Sequence, residues 1–165
     1  SRLPSPVSRL RGMPAHRYTV DVAWTGNLGT GTATYRGYSR AHQLSAPGKA
    51  PIAGSSDPMF RGDAARYSPE ELLVGALSAC HMLWFLHLCA DSGVVLESYR
   101  DAAEGTMVLA ADGGGHFTEV TLHPDCTYRD PVDPELIRRL HDRAHALCFI
   151  ASSMNFPVRV EPVGA

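Results

Sequence analysis

Thiols and imidazoles are the side chains of this 165-residue sequence best suited to chemistry. Its four cysteines stand at 80, 89, 126 and 148, and four of its eight histidines, His81, His87, His141 and His145, lie within seven residues of Cys80 or Cys148. Two kinds of chemistry are open to such a cluster. Thiolate and imidazole together can hold a tetrahedral metal ion, and a pair of thiols can cycle through a disulfide. The cysteines are too few and too widely spaced for a disulfide-stapled secreted scaffold, and no CxxC pair is present.

Cys80 lies inside Leu72–Ala90, nineteen residues without a formal charge. That length suits a membrane span, but two internal histidines and unbiased flanks favour a buried central helix. Ser68-Pro69-Glu70-Glu71 has the form of a capping box with proline at the first helical position. The helix is expected to run to about Asp91, with Gly93 as its stop. Cys89 follows Cys80 by nine residues, about 900° of rotation, and so faces the opposite side. The two helix cysteines therefore cannot pair.

A second helix is expected over 134–148, opened by Asp133-Pro134 and striped by Leu136, Leu140, Ala144 and Leu147. Cys148 at its end is the natural distant partner of Cys80, since helix packing can bring two α-carbons within about 6 Å. His141, His145 and Cys148 also share one helix face, and with Cys80 or His87 they would make a zinc set. Both readings stay open on spacing alone.

The remaining elements must position these helices. Arg17–Trp24 alternates as a half-buried strand, Gly26–Gly31 reads as a turn rather than a phosphate loop, and Thr32–Tyr38 returns as the second strand of an antiparallel hairpin. Residues 45–67 read as one long loop. Val94–Tyr99, Gly105–Ala110, His116–His123 and Phe156–Glu161 read as strands, with Cys126 in a loop. Strands, long helix, strands, helix and strand in that order describe an α+β fold. Residues 1–12, with three arginines and no apolar run, read as a disordered leader, and 13–165 as one domain. Fifteen basic and seventeen acidic residues give a net charge of −2, with no basic cluster beyond the first seventeen positions. That balance argues against a nucleic acid or a membrane as partner, and for a cytoplasmic domain handling small, largely apolar molecules.

The run Ser68-Pro-Glu-Glu-Leu-Leu-Val-Gly-Ala-Leu-Ser-Ala-Cys80-His, with the distant Ala-Leu-Cys148-Phe-Ile, resembles the osmotically inducible protein C (OsmC) and organic hydroperoxide resistance (Ohr) family, over about Tyr18 to Pro162. The resemblance implies antiparallel sheets packed with a long central helix and a second helix, in an intertwined homodimer with active sites at the subunit interface. It implies a thiol-dependent peroxidase that reduces organic hydroperoxides, with Cys80 as peroxidatic and Cys148 as resolving cysteine. Glu70 matches the family's acid, and its arginine matches Arg61 first, then Arg40, with Arg36 nearby. An external dithiol would reset the disulfide, and no bound cofactor or metal is implied. One departure is Phe149 after the second cysteine, where many relatives have proline.

The chemistry agrees with these roles. Peroxide cleavage needs a thiolate, and a neighbouring guanidinium stabilises one against burial. Glu70 would hold that guanidinium by a bidentate pair. On one straight helix, Glu70 and Cys80 are about 15 Å apart, so Glu70 is expected to serve the site of the other subunit. Leu83, Trp84, Phe149 and Met154 are expected to favour a bulky alkyl group. The competing expectation is a zinc-binding or small-molecule-binding module on the same fold, without peroxidase activity.

Overall fold

The computed structural model describes residues 15–164, so the expected leader at 1–12 lies outside the described residues. The chain divides into two compact units, with the boundary between Tyr67 and Ser68.

The N-terminal unit is built on a three-stranded antiparallel sheet of β1 (Asp21–Trp24), β2 (His42–Ser45) and β3 (Ile52–Gly54), in that order. The expected hairpin partner of β1 is wrong. Val22 pairs with Leu44 and Trp24 with His42, whereas residues 31–38 form turns. Gly29 and Gly31 take φ of 111° and 56° there, backbone that strand residues do not adopt. The two tyrosines of the turn region flank Arg40, whose guanidinium lies 4.4 Å from the Tyr35 ring centroid and 4.1 Å from that of Tyr38. It donates to both of their carbonyls at 2.7 Å. Trp24 Nε1–H donates to the Ser39 carbonyl at 2.8 Å. All four residues of β1 are exposed, not half-buried as their alternation suggests. The stretch 45–67 is not one loop either. It holds β3 and a 3-10 turn at Pro58–Phe60, which Asp57 caps and Arg61 closes with φ 64°.

The second unit contains α1 (Pro69–Asp91), β4 (Leu96–Asp101), β5 (Glu104–Leu109), β6 (Gly115–Leu122), β7 (Pro124–Tyr128), α2 (Pro134–Leu147) and β8 (Val158–Val160). The expected capping box opens α1: the Glu71 N–H donates to Ser68 Oγ at 3.2 Å, and the Ser68 N–H to Glu71 Oε2 at 2.7 Å. Gly93 (φ 70°) ends it, and the Val94 N–H returns to the Cys89 carbonyl at 2.9 Å. Leu77, His81, Phe85 and Cys89, at four-residue steps, form the buried stripe of α1. By length and composition α1 could cross a membrane. Here it is buried along that stripe alone, and Leu83 on another face is 62% exposed. The expected buried central helix is thus half open in the single chain.

Phe85 and Cys89 join Leu140 and Ala144 of α2 and Val94 in one core cluster, while Leu77 joins Val120 and Leu122 of β6 in another. Each large apolar side chain buried in this way contributes about 1.5–3 kcal/mol. β4 pairs with β7, and Cys126 therefore stands on a strand rather than in a loop. β5 and β6 are antiparallel, but β8 joins β6 in parallel, so the sheets are not all antiparallel. Gly105 allows β5 to approach α1: a Cβ there would lie 2.7 Å from Val74 Cγ2 and 2.8 Å from the Phe117 ring.

Candidate active site

Packing of α1 on α2 brings the C-terminal end of α2 to the middle of α1. Cys148 is the residue at which α2 stops. Its backbone is extended (φ −67°, ψ 110°) and its N–H is held by the His145 carbonyl. There its buried thiol neighbours that of Cys80, and its sulfur accepts the Ala151 N–H at 3.4 Å. Burial, and then the neighbouring Cys80 thiol, pushes the Cys148 thiol up to about 11. It is therefore protonated at neutral pH and can donate to the sulfur of Cys80. Both cysteines are free thiols. Cys89 is buried in the core on the other side of α1, as its rotation requires.

Cys80 is half-buried and opens onto a groove of about 620 Å3, walled by Leu83, Trp84, Phe149 and Ile150 over a floor of Ala76 and Ala79. Trp84 meets Phe149 edge to face at 5.7 Å. Among the described residues, the one titratable lining group besides Cys80 is His87, whose Nε2 lies 3.3 Å from Asp91 Oδ2 at the surface. Met154, expected beside the thiol, instead packs against the Leu77 cluster.

Glu70 sits in the first turn of α1, and its Oε2 is buried without a hydrogen-bond partner. It borders a separate hollow of about 560 Å3 with Val74, Ser78, Met82, Asp101 and Phe117. Because α1 is unbroken, about 15 Å of helix separates Glu70 from Cys80. Arg40 and Arg61 belong to the N-terminal unit. Arg40 is held by its own tyrosines, and Arg36 and Arg61 are exposed. Among the described residues of the second unit, no arginine lines the Cys80 groove.

The sequence reading missed the polar contact at the centre of the helix pair. His81 Nε2 lies 3.0 Å from His141 Nδ1 in the core, with the rings stacked at 5.3 Å. Phe85 stacks on His141 at 3.8 Å. Burial, and then His145, lowers His81 to about 4 against an opposing pull from Asp101, while burial and His81 lower His141 to about 4. Both rings are neutral at physiological pH. The four-residue stripe places His81 on the buried face, but nothing local identifies its partner 60 residues on. Among the described residues no three ligand-type side chains converge to hold a metal ion. The alternative set of Cys80, Cys148 and His145 with His87 or His141 is not assembled.

The fold and the dithiol define a small α+β protein in which an accessible cysteine is backed by a buried one. The model of the OsmC-like protein family matches residues 62–163, and the chain belongs to that family. An OsmC-like protein of unknown function from Vibrio cholerae is 32% identical, with a TM-score of 0.81, over 90% of this chain and 100% of that one. The organic hydroperoxide resistance protein of Elizabethkingia anophelis shares the fold at 18% identity and a TM-score of 0.65, over 89% of this chain and 96% of its own. OhrB of Bacillus subtilis, also an organic hydroperoxide resistance protein, shares it at 20% identity and 0.60, over 88% and 98%. No curated protein matches the chain.

Proposed function

We propose that this protein is a thiol-dependent peroxidase that reduces organic hydroperoxides to alcohols. The observation that carries the reading is the neighbouring pair of thiols, Cys80 and Cys148, with the accessible member opening onto an apolar groove. The Cys80 thiolate attacks the distal peroxide oxygen, breaking the O–O bond; the alkoxide takes up a proton and leaves as alcohol. The Cys80 sulfenic acid then condenses with the Cys148 thiol, forming a disulfide and releasing water. An external dithiol reduces the disulfide and resets the enzyme in the cytoplasm.

The active unit is an intertwined homodimer with shared sites. Exposed apolar residues support this pairing, among them Tyr18, Val22 and Trp24 in the N-terminal unit and Leu83 and Leu86 on α1. So does the buried, unpartnered Oε2 of Glu70, which suits an incoming guanidinium. Arg61 is the first choice for the arginine beside the thiolate and Arg40 the second, because Arg40 is already engaged.

Intact mass and peptide mapping after one equivalent of cumene hydroperoxide test the reading. Loss of two hydrogens and a Cys80–Cys148 bridge are expected, with one equivalent of cumyl alcohol released. Unchanged thiols and unconsumed peroxide would leave a binding module without peroxidase activity.

A further inference from the structure

The buried histidine pair has no part in the cycle above, yet it stands between its two cysteines. His81 immediately follows Cys80 on α1, and His141 lies two turns before Cys148 on α2. Their 3.0 Å contact is a direct side-chain hydrogen bond between the helices, and both rings are nearly sealed from water, at 0% and 3% exposure. A hydrogen bond between two imidazoles needs one donor and one acceptor, so it survives a first added proton and is lost when both rings are cationic. The remaining nitrogens, His81 Nδ1 and His141 Nε2, are buried with no protein partner. Asp142 of α2 borders the same hollow as His141 and His145, but it is paired with Arg138 at the surface. The other groups facing the pair are His145 from α2, which repels a proton on His81, Asp101 from β4, which already accepts hydrogen bonds from Ser78 and the His123 N–H, and Cys126 and Tyr128 of β7, which line a second hollow with His141. Phe85 covers the His141 ring, and Tyr99 of β4 lies behind Phe85.

We infer that the His81–His141 pair is a positioning element that keeps the Cys80 and Cys148 sulfurs within bonding reach, and that protonating both rings, which sets two cations face to face in a sealed core, releases α2 from α1. The inference rests on the dithiol reading of the site. With both rings protonated, the Cys80 sulfenic acid no longer meets the Cys148 thiol. It is then open to a second hydroperoxide, which breaks another O–O bond to give a sulfinic acid and a second alcohol. Acid thus diverts oxidation from the reversible disulfide to an irreversible product. Neither histidine touches substrate.

The test oxidises the full-length protein with two equivalents of cumene hydroperoxide at neutral pH and at pH about 4, and maps Cys80 as disulfide or sulfinic acid. In wild type the disulfide share falls by about a quarter at pH 4, where rings titrating at about 4 leave about a quarter of the molecules doubly protonated. In His81→Gln/His141→Asn, whose amides keep hydrogen-bonding atoms near the Nε2 and Nδ1 positions without titrating, the share is equal at both pH values. A wild-type share that does not move with pH, or one that falls equally in the double variant, overturns the inference. Dibromobimane, which bridges nearby thiols without peroxide, gives an independent reading. The ratio of bridged to singly alkylated Cys80 should fall at pH 4 in wild type only. If hydroperoxide forms no disulfide at neutral pH, the peroxidase reading fails, and the bimane ratio alone decides the positioning role.

Discussion

The hydroxyl of Ser78 donates to Asp101 Oδ2 at 2.5 Å, and Asp101 Oδ1 accepts the His123 N–H at 2.7 Å. One carboxylate therefore pins the middle of α1, two residues before Cys80, to the edge where β4 meets the end of β6. Hydrogen bonds to a charged group contribute about 1.5–3 kcal/mol each. Asp101→Ala, which removes both bonds, is expected to cost about 3 kcal/mol or more in urea unfolding, and Ser78→Ala, which removes one, less. An unchanged midpoint in Asp101→Ala would show that the contact has no net effect.

The two thiols should separate by role. Cys80→Ser is expected to abolish peroxide turnover. Cys148→Ser should consume about one equivalent and then stall with a sulfenic or sulfinic Cys80, visible by mass. Unimpaired cycling with dithiols in Cys148→Ser would remove Cys148 from the mechanism.

The groove should select by size. Phe149→Ala takes away the ring that Trp84 packs against beside Cys80. KM for cumene hydroperoxide is expected to rise severalfold, with little change for hydrogen peroxide, which does not fill the groove. Equal losses on both substrates would place Phe149 in folding rather than in selection.

Stability should fall in acid with a defined sign. His81 and His141 have folded values of about 4 against 6.5 when free, so the unfolded chain takes up protons first. Their contribution is complete above pH 6.5 and is lost as pH drops toward 4, at up to about 1.4 kcal/mol per pH unit for each ring. Urea titrations of wild type and His141→Phe across that window should diverge, with the variant's slope the shallower. Parallel slopes would mean that carboxylates alone account for the acid loss.

Glu70 should act across the dimer. Glu70→Ala is expected to lose most activity and Cys80→Ser all of it. Mixing the two after subunit exchange should restore activity, because one of the two mixed sites then has both groups. No recovery in mixed dimers, or wild-type rates in Glu70→Ala, would remove the trans role.

The helices and their thiols were legible because their signals are local. The Ser68–Glu71 box, Gly93 and Asp133-Pro134 act within one turn, and the rotation from Cys80 to Cys89 follows from helix geometry alone. The strands were harder, because pairing is a property of two segments. The alternation of Arg17–Trp24 suggests a strand, but not that its partner is His42–Ser45, nor that its faces are open in the single chain. The prolines at 124 and 131 point to a loop around Cys126, yet β4 pairs with Pro124–Tyr128 and makes it a strand. The His81–His141 contact could not be read at all, since only packing relates the two positions.

The sequence has two tryptophans, and the fold assigns one to each unit. Trp24 is hydrogen-bonded to Ser39 in the N-terminal unit, and Trp84 stands at the wall of the Cys80 groove. Single-tryptophan variants thus turn the protein's own fluorescence into two separate channels: Trp84 emission follows sulfur oxidation and ligand entry in the groove, while Trp24 emission follows the N-terminal sheet.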